Sequence, residues 1–233
     1  ASNLFADNAE KLNIDLKDVD FAVLSHAHYD HANGMEKFFE INEKAPFYLQ
    51  EGCGENCYFK KGFVRKYIGI PKGITKRYQD RIKYVSGICP IAEGIYLVSH
   101  STPHLEQIGK KEMMYQKTKL GWKPDNFCHE QSLVLDTDSG LVIFNSCSHG
   151  GVVNIINEVK AAFPEQKITA LIGGFHIFRH PEAAIRELAK LIKETGIQCI
   201  YTGHCSKERG YRILREELGD MAGQFYVGME LEF

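Results

Sequence analysis

The chain has 233 residues, 44% of them apolar, with 28 basic and 30 acidic side chains and a net charge near −2. A chain of this length buries roughly 70% or more of its unfolded surface, enough for one large core, and its balanced charge excludes a general attraction to nucleic acid or anionic membrane. Apolar runs such as FAVL and LVIF fall far short of the ~20 residues of a bilayer span, and seven irregularly spaced cysteines fit a reducing, cytoplasmic compartment better than a disulfide framework.

The opening ASNLFADNAEKL lacks the basic start and long apolar centre of a signal peptide. Phe5, Ala9 and Leu12 fall at helical spacing, and DVDFAVLS reads as a buried strand. The histidine-rich stretch SHAHYDHANG follows, then a helix from near Gly34 that places Met35, Phe38 and Phe39 on one face. Cys53 and Cys57 form C-x3-C, a spacing that departs from the usual zinc and thioredoxin patterns, so they read as two reduced cysteines in a glycine-containing loop.

From about 51 to 128 the pattern is interrupted, with short strands near RIKYVS and GIYLVS. It reads as an insertion or lid on a single domain spanning 1–233. Between positions 60 and 83, nine lysines and arginines stand against Asp80 alone. That is either a solvated basic face or an anion-attracting lid, in which Lys76 and Arg77 would contact substrate.

The second half is more regular. LVIFNS, KITALIGG and IQCIYTG are apolar strands, each followed by a junction (CSHGG, GFHIFRH, HCS) and then a helix, the second of them opened by Pro181. Consecutive strand-then-helix units favour a layered α/β sheet whose strand-end loops gather on one edge. His26, His28, His31, His149, His176 and His204 all occupy such junctions. His100, His104 and His180 read as surface or lid residues.

Imidazoles and a carboxylate suit Zn(II), and also Fe or Mn. Histidines at i and i+2 of an extended segment project to one side, so His26 and His28 can share an ion, while Asp30 and His31 follow as the chain turns. Four residues cannot complete two metal sites. His149 and His204 are the best further ligands, each at the end of an apolar strand.

HAHYDH matches H-x-H-x-D-H, and here the sequence resembles the metallo-β-lactamase superfamily. NSCSHGG, IGGFH and YTGHC look like its branch related to dihydropterin-ribofuranosylaminobenzene 5′-phosphate synthase. The resemblance implies an α/β (α+β) fold, an αββα sandwich of two mixed sheets with flanking helices and a binuclear metal site. It also implies that His129, ahead of a hairpin, is the superfamily's middle histidine ligand. Two departures stand out. The superfamily's bridging aspartate is replaced by Ser146-Cys147-Ser148-His149, so Cys147 falls at the bridge, as a substrate contact or thiolate ligand. The first strands of relatives, before LFADNAEKL, are absent, which implies a processed, truncated or incompletely recorded chain.

The expected ligands are therefore His26, His28, Asp30, His31, His129, His149 and His204, with two divalent ions, zinc foremost and manganese or iron as alternatives. Two such ions ~3.5–4 Å apart share a water and lower its pKa toward ~7. Asp30 would orient that nucleophile, and His176 would line the pocket as a catalytic or substrate-binding group or act as a structural residue. The expected activity is a metal-dependent hydrolase of a small anionic ester, phosphoester or lactone. The branch resemblance implies instead a transferase joining a dihydropterin to a ribofuranosylaminobenzene phosphate. A di-iron oxidoreductase of the same fold is the third reading, though His28 stands where that branch has Glu. A non-catalytic metal-binding or interaction protein is the fourth.

Overall fold

The computed structural model describes residues 3–233, and by contacts the chain divides into two compact units. The first runs to Ser86 and resumes over Thr102–Gln131; the second comprises Gly87–Ser101 and Ser132–Phe233.

In the first unit, α1 (Leu4–Lys11) and β1 (Ala22–Val23) precede the short helix α2 (Tyr29–Ala32) and α3 (Met35–Ile41), and β2 (Phe47–Gln50) follows. After β3 (Cys57–Lys61), β4 (Val64–Tyr67) and α4 (Ile74–Arg77), β5 (Ile82–Val85) lies parallel to β2, which is itself parallel to β1. Met35, Phe38 and Phe39 of α3 are buried with Leu24, Phe47, Leu49 and Ile82. The apolar side of the predicted helix is thus its inner face.

Arg81 shows why the basic segment is not simply a solvated face. Its guanidinium lies 4.8 Å from the Phe39 ring and donates to the carbonyl oxygens of Asn42 at 2.5 Å and Ala45 at 2.7 Å. A planar fork with several donors is suited to closing the carboxyl end of a helix in this way. Lys60 and Arg65 sit over Trp122, and Lys72 over Tyr67.

The second unit begins with β6 (Ile88–Ala92) and β7 (Ile95–Ser99). In the first unit, α5 (Glu106–Lys111), β8 (Met114–Thr118) and β9 (Gly121–Pro124) follow, and β8 and β9 join β3 and β4 in an antiparallel sheet of order β4-β3-β8-β9. The stretch 51–128 therefore enters three different sheets instead of forming one continuous insertion.

The second unit is completed by β10 (Gln131–Thr137), β11 (Gly140–Asn145), α6 (Val152–Ala162), β12 (Ile168–Gly173), α7 (Glu182–Glu194), β13 (Cys199–Thr202), α8 (Lys207–Leu218) and β14 (Ala222–Gln224). Its sheet has the order β14-β13-β12-β11-β10-β7-β6, with β11 through β14 parallel. Ile155, Ile156 and Val159 of α6, Ile185 and Ile192 of α7 and Ile213 and Leu214 of α8 are buried in one cluster with Leu141, Ile143, Leu171 and Ile200 of the strands. Strands covered in this way read as continuous apolar runs, which is how ITALIG and LVIF appear. Among the described residues no helix is long and apolar enough to cross a membrane.

Gly173, paired with Asn145 across β11 and β12, has no room for a side chain, because a Cβ would overlap the Asn145 carbonyl oxygen. Gly173→Ala is expected to cost roughly 1–3 kcal/mol or more by overpacking. At about 2–4 °C per kcal/mol for a chain of this size, the thermal midpoint should fall by several degrees, whereas Lys190→Ala on the exposed face of α7 should leave it unchanged; circular dichroism melts check both.

Candidate metal centre

In the first unit the His26–His28 segment turns instead of running extended, the His28 N–H donating to the His26 carbonyl oxygen at 3.0 Å. Both histidines are buried, and the backbone of His28 itself is extended (φ −97°, ψ 147°) as it caps α2. The chain then coils, placing Asp30 and His31 in the first turn, with His31 Nε2 3.5 Å from Asp30 Oδ2. The His26 ring centroid lies 4.8 Å from that of His28 and 4.3 Å from that of His31. Burial pushes the His28 pKa down despite Asp125 nearby, favouring the neutral imidazole that binds metals.

Behind the motif lies a group that the sequence reading did not identify. Asp125 is fully buried; its Oδ1 accepts from Gln116 Nε2 and from the Phe127 N–H, both at 2.9 Å. Its Oδ2 is 3.2 Å from His129 Nε2 and 3.8 Å from His28 Nε2. His129 Nδ1 in turn accepts the N–H of Ala27, between the two leading histidines, at 3.2 Å. Ligand-type atoms of His28, Cys57, Asp125 and His129 all lie within 4.8 Å of one another. The pairing with His129 and His28 holds Asp125 well below the usual carboxylate range although burial opposes its charge, and with its Nδ1 lone pair taken by the Ala27 N–H, His129 is neutral and donates from Nε2 to Asp125.

His129 therefore braces the backbone of HAHYDH, and a cation held at its Nε2 would have to share or displace Asp125. Cys57 belongs to this buried set, in contrast to the passive loop cysteine expected from its spacing. Cys53 accords with that expectation: burial pushes its thiol up to about 12, and its Sγ lies 3.4 Å from the His129 carbonyl oxygen.

In the second unit the predicted junctions follow the carboxyl ends of β11, β12 and β13, three adjacent parallel strands. Each contains a non-glycine residue in the left-handed region: Ser148 (φ 47°), His176 (φ 52°) and His204 (φ 50°). Such conformations cost free energy and cluster where function requires them. Cys147, His149 and His176 offer ligand atoms within 4.8 Å of one another, as do Cys147, His204 and Cys205. The rings of His149 and His176 are 4.4 Å apart. Cys205 was absent from the sequence-based set. Its Sγ lies 3.0 Å from that of Cys147, and the hydrogen bond from Cys147, helped by His176, outweighs burial and brings its pKa down to about 5.

His100 corrects a second expectation, being buried instead of lying on the surface or in a lid. Its Nδ1 is 2.6 Å from Glu158 Oε2 and its Nε2 2.8 Å from Ser132 Oγ. Ser132 Oγ accepts from Asn145 Nδ2 at 3.1 Å, and Asn145 Oδ1 accepts the Ser148 N–H at 2.7 Å. All donor and acceptor directions agree if His100 carries its proton on Nδ1. The order acid, histidine, serine matches a nucleophilic triad, but Ser132 is fully buried, so no substrate reaches it. The chain instead fixes the turn bearing Cys147 and His149. His104 is exposed, as expected.

Of the two expected anion contacts, Arg77 is engaged by Glu36 in an ion pair, while Lys76 is exposed. Asp30 and His31 come together with His26 and His28, whereas Lys76 and Arg77 lie at the carboxyl end of α4.

Residues 2–111 match the model of the metallo-beta-lactamase superfamily. A solved structure described as a metal-dependent hydrolase of the beta-lactamase superfamily aligns over 100% of this chain and 86% of its own, at 27% identity and a TM-score of 0.82. This is a metallo-beta-lactamase superfamily fold. A curated relative from Methanocaldococcus jannaschii, named 7,8-dihydropterin-6-methyl-4-(beta-D-ribofuranosyl)-aminobenzene-5′-phosphate synthase, is 26% identical over 97% of this chain and 79% of its own length. An uncharacterized protein of the same organism is 24% identical over 68% of this chain and 58% of its own length. These matches agree with the resemblance read from HAHYDH and the strand-end motifs.

The fold family is metal-dependent, and the donors present suit it: imidazoles with a carboxylate and the Cys57 thiol in the first unit, imidazoles with thiols in the second. Groups that orient metal ligands typically contribute 10–100-fold to metal affinity. Asp125→Asn and Asn145→Ala should therefore each weaken zinc binding by roughly that factor with far-ultraviolet circular dichroism unchanged, measured by competition with a chromogenic chelator.

Proposed function

We propose that this chain is a metal-dependent hydrolase of a small anionic, phosphorylated substrate, with residues 1–233 acting as one catalytic domain in the cytoplasm. The observation that carries this reading is the packing of His26, His28 and His31 around one another beside Asp30, all within six positions of a loop leading into a short helix. His26, His28, Asp30, His31, His149 and His204 would hold two divalent ions, zinc foremost with manganese or iron as alternatives, and His129 would serve as ligand or brace. When bound, such ions supply Lewis acidity and an acidified water.

The chain's own residues carry the rest. Asp30, whose side chain is 34% exposed, can orient water by accepting its hydrogen bond and take up its proton. His176, half-buried on the loop after β12, is placed to hydrogen-bond substrate or supply a proton to a leaving oxygen. Cys147, buried beside it, would line the same contact. The similar solved structure described as a metal-dependent hydrolase supports hydrolysis.

A second reading is favoured by the curated synthase, which matches 97% of this chain: transfer of a dihydropterin group to a ribofuranosylaminobenzene phosphate with departure of pyrophosphate. The same residues serve either chemistry, since both displace a group from an activated centre, and fold does not select the acceptor.

Metal-loaded protein should turn over at least one of a panel of phosphodiesters, phosphomonoesters and lactones, and Asp30→Ala should lower kcat by at least about 100-fold, the scale of general acid–base assistance, while its fold is retained. Full activity in Asp30→Ala would defeat the mechanism. Release of pyrophosphate only when both dihydropterin pyrophosphate and the aryl-ribose phosphate are present would select the transferase. Replacing Lys76 and Arg77 with Ala should raise KM for anionic substrates alone.

A further inference from the structure

Cys147 and Cys205 belong to different loops, one after β11 and one after β13, yet their sulfurs are 3.0 Å apart. A disulfide bond is about 2.05 Å long, so closing it requires about 1 Å of travel. Both thiols are buried, and the approach is built into the surrounding chain. Gly174, on the loop between them, leaves the space that the Cys205 sulfur occupies: a Cβ there would lie 2.6 Å from Cys205 Sγ and 2.7 Å from the Ser146 carbonyl oxygen. The His176 N–H donates to Cys205 Sγ at 3.1 Å and aims that sulfur. The Ser206 hydroxyl accepts the Phe175 N–H at 3.0 Å and lies 2.6 Å from Thr202 Oγ1, holding the Cys205 loop against the loop after β12.

We propose that Cys147 and Cys205 form a reversible disulfide that switches off cation binding by the second unit. The inference rests on the metal-binding reading above, because the sulfur consumed belongs to two ligand groups of this unit, Cys147 with His149 and His176, and Cys147 with His204 and Cys205. The oxidant is a hydroperoxide. One thiolate attacks a peroxide oxygen, the O–O bond breaks, and hydroxide (or alkoxide) leaves, giving a sulfenic acid. The second thiol then attacks that sulfur and expels water. Two thiols are oxidised and one peroxide is reduced, and a dithiol or phosphine reductant reverses the change. A disulfide sulfur has no thiolate charge to offer a cation. His204, which shares a ligand group with both sulfurs, is exposed.

As-purified, zinc-loaded protein is treated with one equivalent of hydrogen peroxide, blocked with an alkylating agent and peptide-mapped, while released zinc is followed with a chromogenic chelator. The expected result is a single linked peptide joining Cys147 to Cys205, zinc released mole for mole with loss of the two thiols, and recovery of both after phosphine reduction and zinc addition. Cys205→Ser should form no intramolecular link, and Cys147→Ala, as a second variant, should leave Cys205 unlinked. Recovery of Cys147 and Cys205 as alkylated thiols, or linkage to any of the other five cysteines, overturns the pairing. Linkage without zinc release overturns the switch. Protein that holds no zinc even when fully reduced overturns the metal reading instead, while the linked peptide still reports on the pairing.

Discussion

The parallel pairing of β11, β12 and β13 is the constraint on which the second unit depends. Parallel strands in register end together, so the turns at 146–151, 174–180 and 203–206 leave the sheet at one edge, although roughly 30 residues of chain separate each from the next. Only then can Cys147, His149, His176, His204 and Cys205 offer their ligand atoms to one another. The buried apolar faces of α6, α7 and α8 hold that register, because a one-residue slip would turn buried strand side chains the wrong way.

The two units solve the same problem, fixing imidazoles before any ion arrives, by different means. In the first, a short loop concentrates four ligand-type residues, and a buried carboxylate behind them, Asp125, holds His129 against the loop's own backbone. In the second, three loops contribute one or two residues each, and a chain of hydrogen bonds from the Glu158 carboxylate to Ser148 pins the turn at Ser148. Buried polar networks of this kind are costly unless every member is satisfied. Here the direction of each hydrogen bond is set by its neighbour.

The chemical character of the two sets also differs. The imidazoles and carboxylate of HAHYDH suit zinc, iron or manganese, whereas the two thiols beside imidazoles in the second unit favour zinc over harder ions and add sensitivity to oxidation. This chain has sulfur, Cys147, where its resemblance to the superfamily implies a bridging aspartate. Thiol chemistry is the natural place to look for control.

What was legible in the sequence was local. The second unit's apolar strands, the Pro181-opened helix and the histidines at those strand ends depend on spacing within a few residues and appear where their period placed them, whereas the buried strand read over DVDFAVLS shortens to the half-buried Ala22–Val23. The roles of Asp125, Cys57, Cys205 and His100 were not legible, because each is decided by partners far away in the chain: Asp125 by His28, Cys205 by Cys147, His100 by Glu158. The one local hint was the four-residue interval in DNFCH, which brings Asp125 and His129 together. Sequence by itself determined the fold family, the donor types and the loops that carry them, since periodicity and motif spacing are properties of the chain. Which donors meet was decided by tertiary structure, because strand order and burial, absent from any short window, set the distances between them.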